Sequence, residues 1–390
     1  MTASFLLPEP DSIAQQHSDK LVSVIKKHII DSGGKIDFAH YMNLCLYAPG
    51  LGYYSAGSHK LGQHGDFTTA PEISSLFSQT LAKHIQDVFK QLNTANILEF
   101  GAGTGKMAVD ILGQLERDDA LPETYFIIEA SADLRQRQEK SIYQSIPHLA
   151  ERIMWLDQMP DSFIGVILAN EVCDAMPVHC LHVKNNQVFQ RYVGINNNEF
   201  VWCDDDIDND DLTARANNIQ AVNAGISYIT EVNLTAEAWV VSLAERLIQG
   251  AIFIIDYGYP QTDYYHPQRN TGTMMCYYQH QGHDNPFILQ GLQDITAHVD
   301  FTALAEAAFD NGLDVAGFQA QADFLIAGDI ALLIAENSSE AGIESIKLAN
   351  QLKQLTLPSA MGETFKVLTL TKSLADVLPR LQLADRRYSL

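Results

Sequence analysis

Apolar positions change their spacing several times along this chain. In residues 11–31 Ile13, Leu21, Ile25 and Ile29 recur at helical intervals between polar residues, and Gly33-Gly34 stops the run, so this stretch predicts a helix. Residues 47–72 (YAPGLGYYSAGSHKLGQHGDFTTAPE) carry no such period and are rich in Gly, Tyr, Pro and His. They predict a long ordered loop, and loops of that length are usually functional. A second helix is expected from Ser74 to Leu92. Short apolar runs then alternate with helical stretches: a strand at Asn96–Phe100, a glycine turn at Gly101–Gly105, a helix at Lys106–Leu115, and further strands at Thr124–Glu129, Phe163–Ala169, Ala251–Asp256 and, late in the chain, Phe365–Leu370. Apolar strands alternating with helices mean a parallel sheet covered on both faces, a doubly wound α/β fold.

Two stretches break that rhythm. Residues 179–202 (HCLHVKNNQVFQRYVGINNNEFVW) alternate with a period of two around Asn-Asn pairs, the pattern of an inserted antiparallel meander. Residues 259–300 form a second, irregular insertion. The organisation expected is an N-terminal helical cap with a cofactor-lid loop over residues 1–92, and a nucleotide-binding core over 93–390 with insertions at about 178–235 and 259–311.

Composition narrows the functions. Among 390 residues, 48 acidic against 25 basic side chains give a net charge of −23. Such a surface disfavours nucleic acid, whose phosphates need Lys and Arg, and suits a cationic protein partner. No apolar run reaches the ~18 residues that span a bilayer. The start, MTASFLLPEPDSIAQQ, lacks a basic n-region and an Arg-rich amphipathic pattern, and five scattered cysteines without a CxxC suit a reducing compartment. A cytoplasmic location is therefore expected.

The chemistry concentrates at ILEFGAGTGK, where Gly101, Gly103 and Gly105 follow a strand and precede a helix. A P-loop would need Gly and Ser/Thr where Phe100 and Met107 stand. The dinucleotide fingerprint would need a glycine where Lys106 stands, which weakens but does not remove a dinucleotide-dependent oxidoreductase. The E-x-G-x-G-x-G turn of S-adenosylmethionine (SAM) enzymes is the remaining match. Glu129 ends the next strand, where an acid can accept hydrogen bonds from both ribose hydroxyls of an adenosyl group. After the third strand come Asn170, Glu171 and Asp174, at the carboxyl edge where ligands bind in such sheets. Two carboxylates three residues apart can grip a guanidinium or ammonium group, or one of them can cap the following turn. Other candidates are weaker. His179 and His182 fall on opposite faces of a strand, so HCLH makes no metal site. The run Asp204–Asp211 lacks the EF-hand glycine and glutamate and reads as a solvated acidic loop. No metal is expected.

These residues, together with Gly65-Asp66-Phe67-Thr68-Thr69-Ala70-Pro71-Glu72, resemble the MidA type of SAM-dependent methyltransferases, which includes the mitochondrial complex I assembly arginine methyltransferase. The chain looks like a bacterial member. The matching segments are LYAPGLGYYS (46–55), GDFTTAPEIS (65–74), ILEFGAGTGK (97–106), ANEVCDAMPVH (169–179), IDYGYP (255–260), GLQDITAHVDF (291–301) and MGETFKVLTL (361–370). The resemblance implies a class I methyltransferase (Rossmann-like) fold, SAM as cofactor, and methylation of arginine on a protein substrate, with a respiratory complex I subunit as the candidate partner and a homodimer as the candidate assembly. It adds Asp66, Phe67, Thr68, Pro71 and Glu72 to the cofactor side, with Asp157 reaching the adenine amino group. The aromatic loop at 47–54 and Phe67 are then candidates for a lid. A SAM-binding assembly factor without catalysis is the alternative within the same fold.

Overall fold

The computed structural model describes residues 7–56, 68–222, 225–337 and 343–390. Among the described residues the central sheet has eight strands, seven of them side by side: β1 Asn96–Phe100, β2 Thr124–Ile128, β3 Ile153–Leu156, β4 Phe163–Asn170, β5 Leu247–Tyr259, β6 Asp314–Ala320 and β7 Phe365–Lys372, with the two-residue strand Val299–Asp300 beside the end of β5. The spatial order of the seven is β3-β2-β1-β4-β5-β7-β6. The first five are parallel to one another, and β7 runs antiparallel to both β5 and β6. This is the doubly wound order with one antiparallel strand wedged before the sixth, and its order reverses between β1 and β4.

The near-continuous apolar strands follow from burial on both faces. In β5, Ala251, Phe253 and Ile255 pack into one core and Ile252 and Ile254 into the other. Each fully buried aliphatic or aromatic side chain contributes ~1.5–3 kcal/mol of transfer free energy, so the sheet carries most of the burial. β5 is longer than the sequence pattern indicates because it is paired along both edges, and its last residues continue beside Val299 and Asp300. Gly250 lies beside Gly165 in β4; a Cβ on Gly250 would fall 1.8 Å from the Gly165 carbonyl oxygen. Two glycines therefore permit that close crossing.

The meander is present as His179–Lys184, Gln187–Asn196 and Glu199–Asp205. Asn185, Asn186, Asn197 and Asn198 all take positive φ in its two turns, the conformation that tight hairpins demand and Asn tolerates. Lys35–Asp37 and Tyr228–Val232 complete this five-stranded sheet. The acidic run is not a solvated loop throughout. Asp204 and Asp205 end a strand: Asp204 accepts from Lys184 and His182, and Asp205 pairs with Lys35. Asp210 opens a helix, Asp210–Val222. The reason is cross-strand pairing with cations that lie far off in sequence. The first helix, Ser12–Asp31, is capped by Asp11, and Leu21, Ile25 and Ile29 share one buried cluster with Tyr41, Tyr53, Val178, Val193 and Ile295. The N-terminal segment and both insertions thus form a single apolar body above the strands' carboxyl ends.

Candidate active site

Above the switch point between β1 and β4 lies a cleft of about 260 Å³. Gly101, Gly103 and Thr104 of the glycine turn line it, while Gly105 lies against Gln138 outside the lining. Gly101, Gly103 and Gly105 all have positive φ, at 64°, 55° and 82°, where a β-carbon is strained. Gly101 donates its N–H to the Ile128 carbonyl (3.0 Å), joining the ends of β1 and β2. Gly105 is the N-cap of the helix Lys106–Arg117 and has no side chain to cap it, so the electropositive helix start opens on the cleft. Glu99, the acid of the glycine motif, is buried, takes the Tyr125 hydroxyl at 2.7 Å and is pushed up to about 7 by burial.

Glu129 lines the same cleft. One oxygen accepts from the Ser131 amide (2.9 Å), the other from the Gln138 side chain (2.9 Å). Burial raises its pKa. The carboxylate also accepts from the Ala130 amide, and with about four acceptor sites it can still take a ribose hydroxyl. Pro71 and Glu72 line the cleft, and Glu72 accepts a hydrogen bond from the Thr104 hydroxyl in the glycine turn. Thr68 is exposed and outside the lining, whereas Thr69 belongs to it. Asp66 and Phe67 lie outside the described residues. Asp157 departs from expectation. Its side chain is 95% exposed, pairs with Arg135 at 3.2 Å and does not line the cleft. It follows a four-residue edge strand, on the outer surface.

Asn170 and Glu171 line the other end, with Val172 and Ala175. Glu171 sits at φ 53°, a left-handed conformation uncommon for a glutamate, and strain of this kind collects at functional sites. Its N–H donates to the Ile255 carbonyl (2.9 Å), which ties the turn to β5. Burial, then the nearby Asp174, raises its carboxyl to about 8; hydrogen bonds from Asn170 and the Ala70 amide oppose this. Asn170 Oδ1 is buried without a partner. Asp174 is 6% exposed and stands behind the lining rather than in it. It takes the Tyr257 hydroxyl at 2.6 Å, its Oδ1 is unpartnered, and burial pushes it up to about 6.

Sequence reasoning missed two buried acids here, Asp256 and Asp294, and offered Tyr47 and Tyr54 only as part of a lid. Asp256, fully buried, accepts from the amides of Cys173, Asp174 and Tyr257 and so shapes the turn carrying both acids. Tyr54 donates to both oxygens of buried Asp294 (3.1 and 3.0 Å), and Tyr47 donates to the Ala175 carbonyl (2.9 Å). The two tyrosine rings stack with centroids 5.5 Å apart, and both line the cleft. Asp256 and Asp294 fall in conspicuous segments, IDYGYP and GLQDITAHVDF, but nothing in their spacing shows the pairing. Among the described residues no group of His, Cys, Asp or Glu is placed to hold a metal ion, and no helix is long and apolar enough to cross a membrane.

A doubly wound sheet with this turn, this acid and this cleft defines an adenosyl-cofactor enzyme of the class I methyltransferase architecture. Residues 80–319 match the family described as "Putative S-adenosyl-L-methionine-dependent methyltransferase", and the chain belongs to that family. It is 38% identical to a Burkholderia thailandensis protein described as a "likely methyl transferase", whose crystal structure contains S-adenosyl-homocysteine; the match covers 99% of this chain and all of the other at a TM-score of 0.95. The protein arginine methyltransferase NDUFAF7 homolog, mitochondrial, of Caenorhabditis elegans is 29% identical over 77% of this chain and 75% of its own length. Its Homo sapiens counterpart is 26% identical over 97% and 88%. SAM is the cofactor, which sets the dinucleotide alternative aside.

Proposed function

We propose that this chain methylates an arginine side chain of a protein substrate, with Glu171 at the acceptor end of the cleft. The observation that carries the proposal is Glu171 itself: a carboxyl lining the cleft, at the carboxyl end of β4, fixed in a strained conformation by the Ile255 carbonyl. Arginine is the acceptor named for the related NDUFAF7 proteins, and a guanidinium is the group an acid in this position suits.

The cradle fits SAM by its own chemistry. Glu129 would take the ribose hydroxyls, the glycine turn would pass close to the cofactor backbone, and Glu72 and Asn170 would face its polar substituents. Bound SAM supplies an electrophilic methyl group, and transfer to a guanidinium nitrogen leaves that nitrogen with a proton to lose. Glu171 in its carboxylate form draws the guanidinium in and can accept that proton, while Asn170 Oδ1 offers a further acceptor. Asp174 stands behind, steadied by the neutral Tyr257 hydroxyl that donates to it, and adds to the acidity of the acceptor side. The alignment of donor and acceptor in a site closed to water supplies the larger part of such a rate enhancement. For the acceptor protein, a respiratory complex I subunit is the candidate drawn from the family resemblance.

The test is a proteome from cells lacking this chain, incubated with purified protein and isotopically labelled SAM and read by mass spectrometry. Label on arginine, lowered at least tenfold by Glu171→Gln, is the expected result. Label confined to lysine, to termini or to small molecules overturns the arginine reading.

A further inference from the structure

In the helix Ala132–Ser145, a polar segment reading ADLRQRQEKSIYQS, only Gln138 and Ile142 are buried. Ile142 belongs to the apolar core, but a glutamine at 0% exposure calls for another account. Its amide nitrogen donates to the Gly103 carbonyl (3.1 Å) and to Oε2 of Glu129 (2.9 Å). Its amide oxygen accepts from the Trp155 indole N–H (2.9 Å). An indole nitrogen only donates, so it admits one orientation of the amide and turns the NH₂ toward Gly103 and Glu129. The helix backbone is equally close, since a Cβ on Gly105 would lie 3.4 Å from Gln138 Cα.

We propose that Gln138 is a positioning residue for the cofactor: it locks the glycine turn and Glu129 into one frame, and Trp155 on β3 fixes its orientation from outside the cleft. One amide thereby joins the ends of three successive strand–helix units. The donated hydrogen bond fixes the Glu129 carboxylate plane before any ligand arrives, and preorganisation of this kind lowers the ordering cost of binding. The inference rests on Glu129 as the adenosyl ligand, and the experiment separates failure of the two.

S-adenosyl-homocysteine affinity is measured by calorimetry on the full chain for Q138L, W155F, E129A and the Q138L/E129A double variant, each with a melting curve of the ligand-free protein. Q138L is expected to raise Kd about tenfold, the magnitude of ~1.4 kcal/mol. W155F, altered at a residue that does not line the cleft, is expected to raise it about threefold because the amide is then free to turn. If E129A alone costs tenfold, the double variant should also cost about tenfold rather than a hundredfold, since the two residues act as a unit. Full additivity, or an unchanged Kd in Q138L while E129A weakens binding, overturns the role of Gln138. An unchanged Kd in E129A overturns the Glu129 reading instead. Loss of affinity in Q138L and W155F that merely follows a lowered melting temperature makes Gln138 a structural residue and also overturns the proposal.

Discussion

The two ends of the cleft are built on different plans. The cofactor end comes mainly from one continuous stretch: Glu99, the glycine turn, Glu129 and Gln138 all lie within residues 99–138, on adjacent parallel strands and the helices that follow them, joined by Pro71 and Glu72 from just upstream. The acceptor end is assembled from four distant segments: Tyr47 and Tyr54, Asn170 to Asp174, Asp256-Tyr257, and Asp294. At the first end the backbone does the recognising and side chains hold it in place. At the second, buried acids and tyrosines hold one another. If this division is real, substitutions at one end change SAM affinity and substitutions at the other change acceptor use.

The largest effect is expected at the glycine turn. Gly103→Val places a β-branched residue at φ 55°, a region such residues avoid, and puts its side chain where the cofactor passes. SAM binding should weaken more than a hundredfold by calorimetry with the fold retained in the circular dichroism spectrum. Undiminished affinity would remove the turn from the site.

Next comes Glu171→Gln, which keeps the shape and one acceptor oxygen but removes the charge. Acceptor kcat/KM should fall at least tenfold, a loss above ~1.4 kcal/mol in transition-state binding, while SAM affinity changes less than twofold. If SAM affinity falls in step with turnover, Glu171 serves the cofactor and the division between the two ends is wrong.

The same plan explains what could be read from residues alone. The core strands and the meander were legible because burial and pairing write a period into the sequence: β1, β4 and the Asn-Asn turns fall where the pattern sets them. The cofactor end was legible because a turn of three glycines and an acid one strand later are local features. Gln138 was not, since it sits in a helix whose composition describes a solvated face and only the packed structure turns it inward. The acceptor end was half legible. Asn170, Glu171 and Asp174 form one short motif, but their supports, Asp256 and Asp294, arrive through strand pairing and insertion contacts that sequence spacing does not encode. Asp157 shows the converse: an acid in the right order along the chain lies exposed beside Arg135, outside the cleft lining.

Acceptor use should also depend on pH. Burial raises the Glu171 carboxyl to about 8, so before the acceptor binds the protonated form is favoured near pH 7. A guanidinium favours the carboxylate, so acceptor binding expels that proton. Acceptor kcat/KM, which reports the free enzyme, should therefore rise about tenfold from pH 7 to about pH 9 and then level. The stability sign runs the other way. A carboxyl raised on folding contributes fully below its unfolded value and loses that contribution as pH climbs through about 8. A profile unchanged in Glu171→Gln would assign the titration to another group.

The smallest effect is expected at Tyr47, where the comparison is most exposed to failure because this residue lies along the same wall as Glu129. Tyr47→Phe deletes the bond to the Ala175 carbonyl (2.9 Å) but keeps the ring and its stacking on Tyr54. A neutral hydrogen bond of this sort contributes ~0.5–1.5 kcal/mol net. The Ala175 carbonyl belongs to the turn that carries Asn170, Glu171 and Asp174, so loosening it should reach the acceptor first. The expectation is a few-fold rise in acceptor KM, kcat within twofold, and an unchanged dissociation constant for SAM. Weaker SAM binding with acceptor KM unmoved would place Tyr47 with the glycine turn and Glu129, and the boundary between the two ends would then fall on the far side of the tyrosine pair, nearer to Asp294.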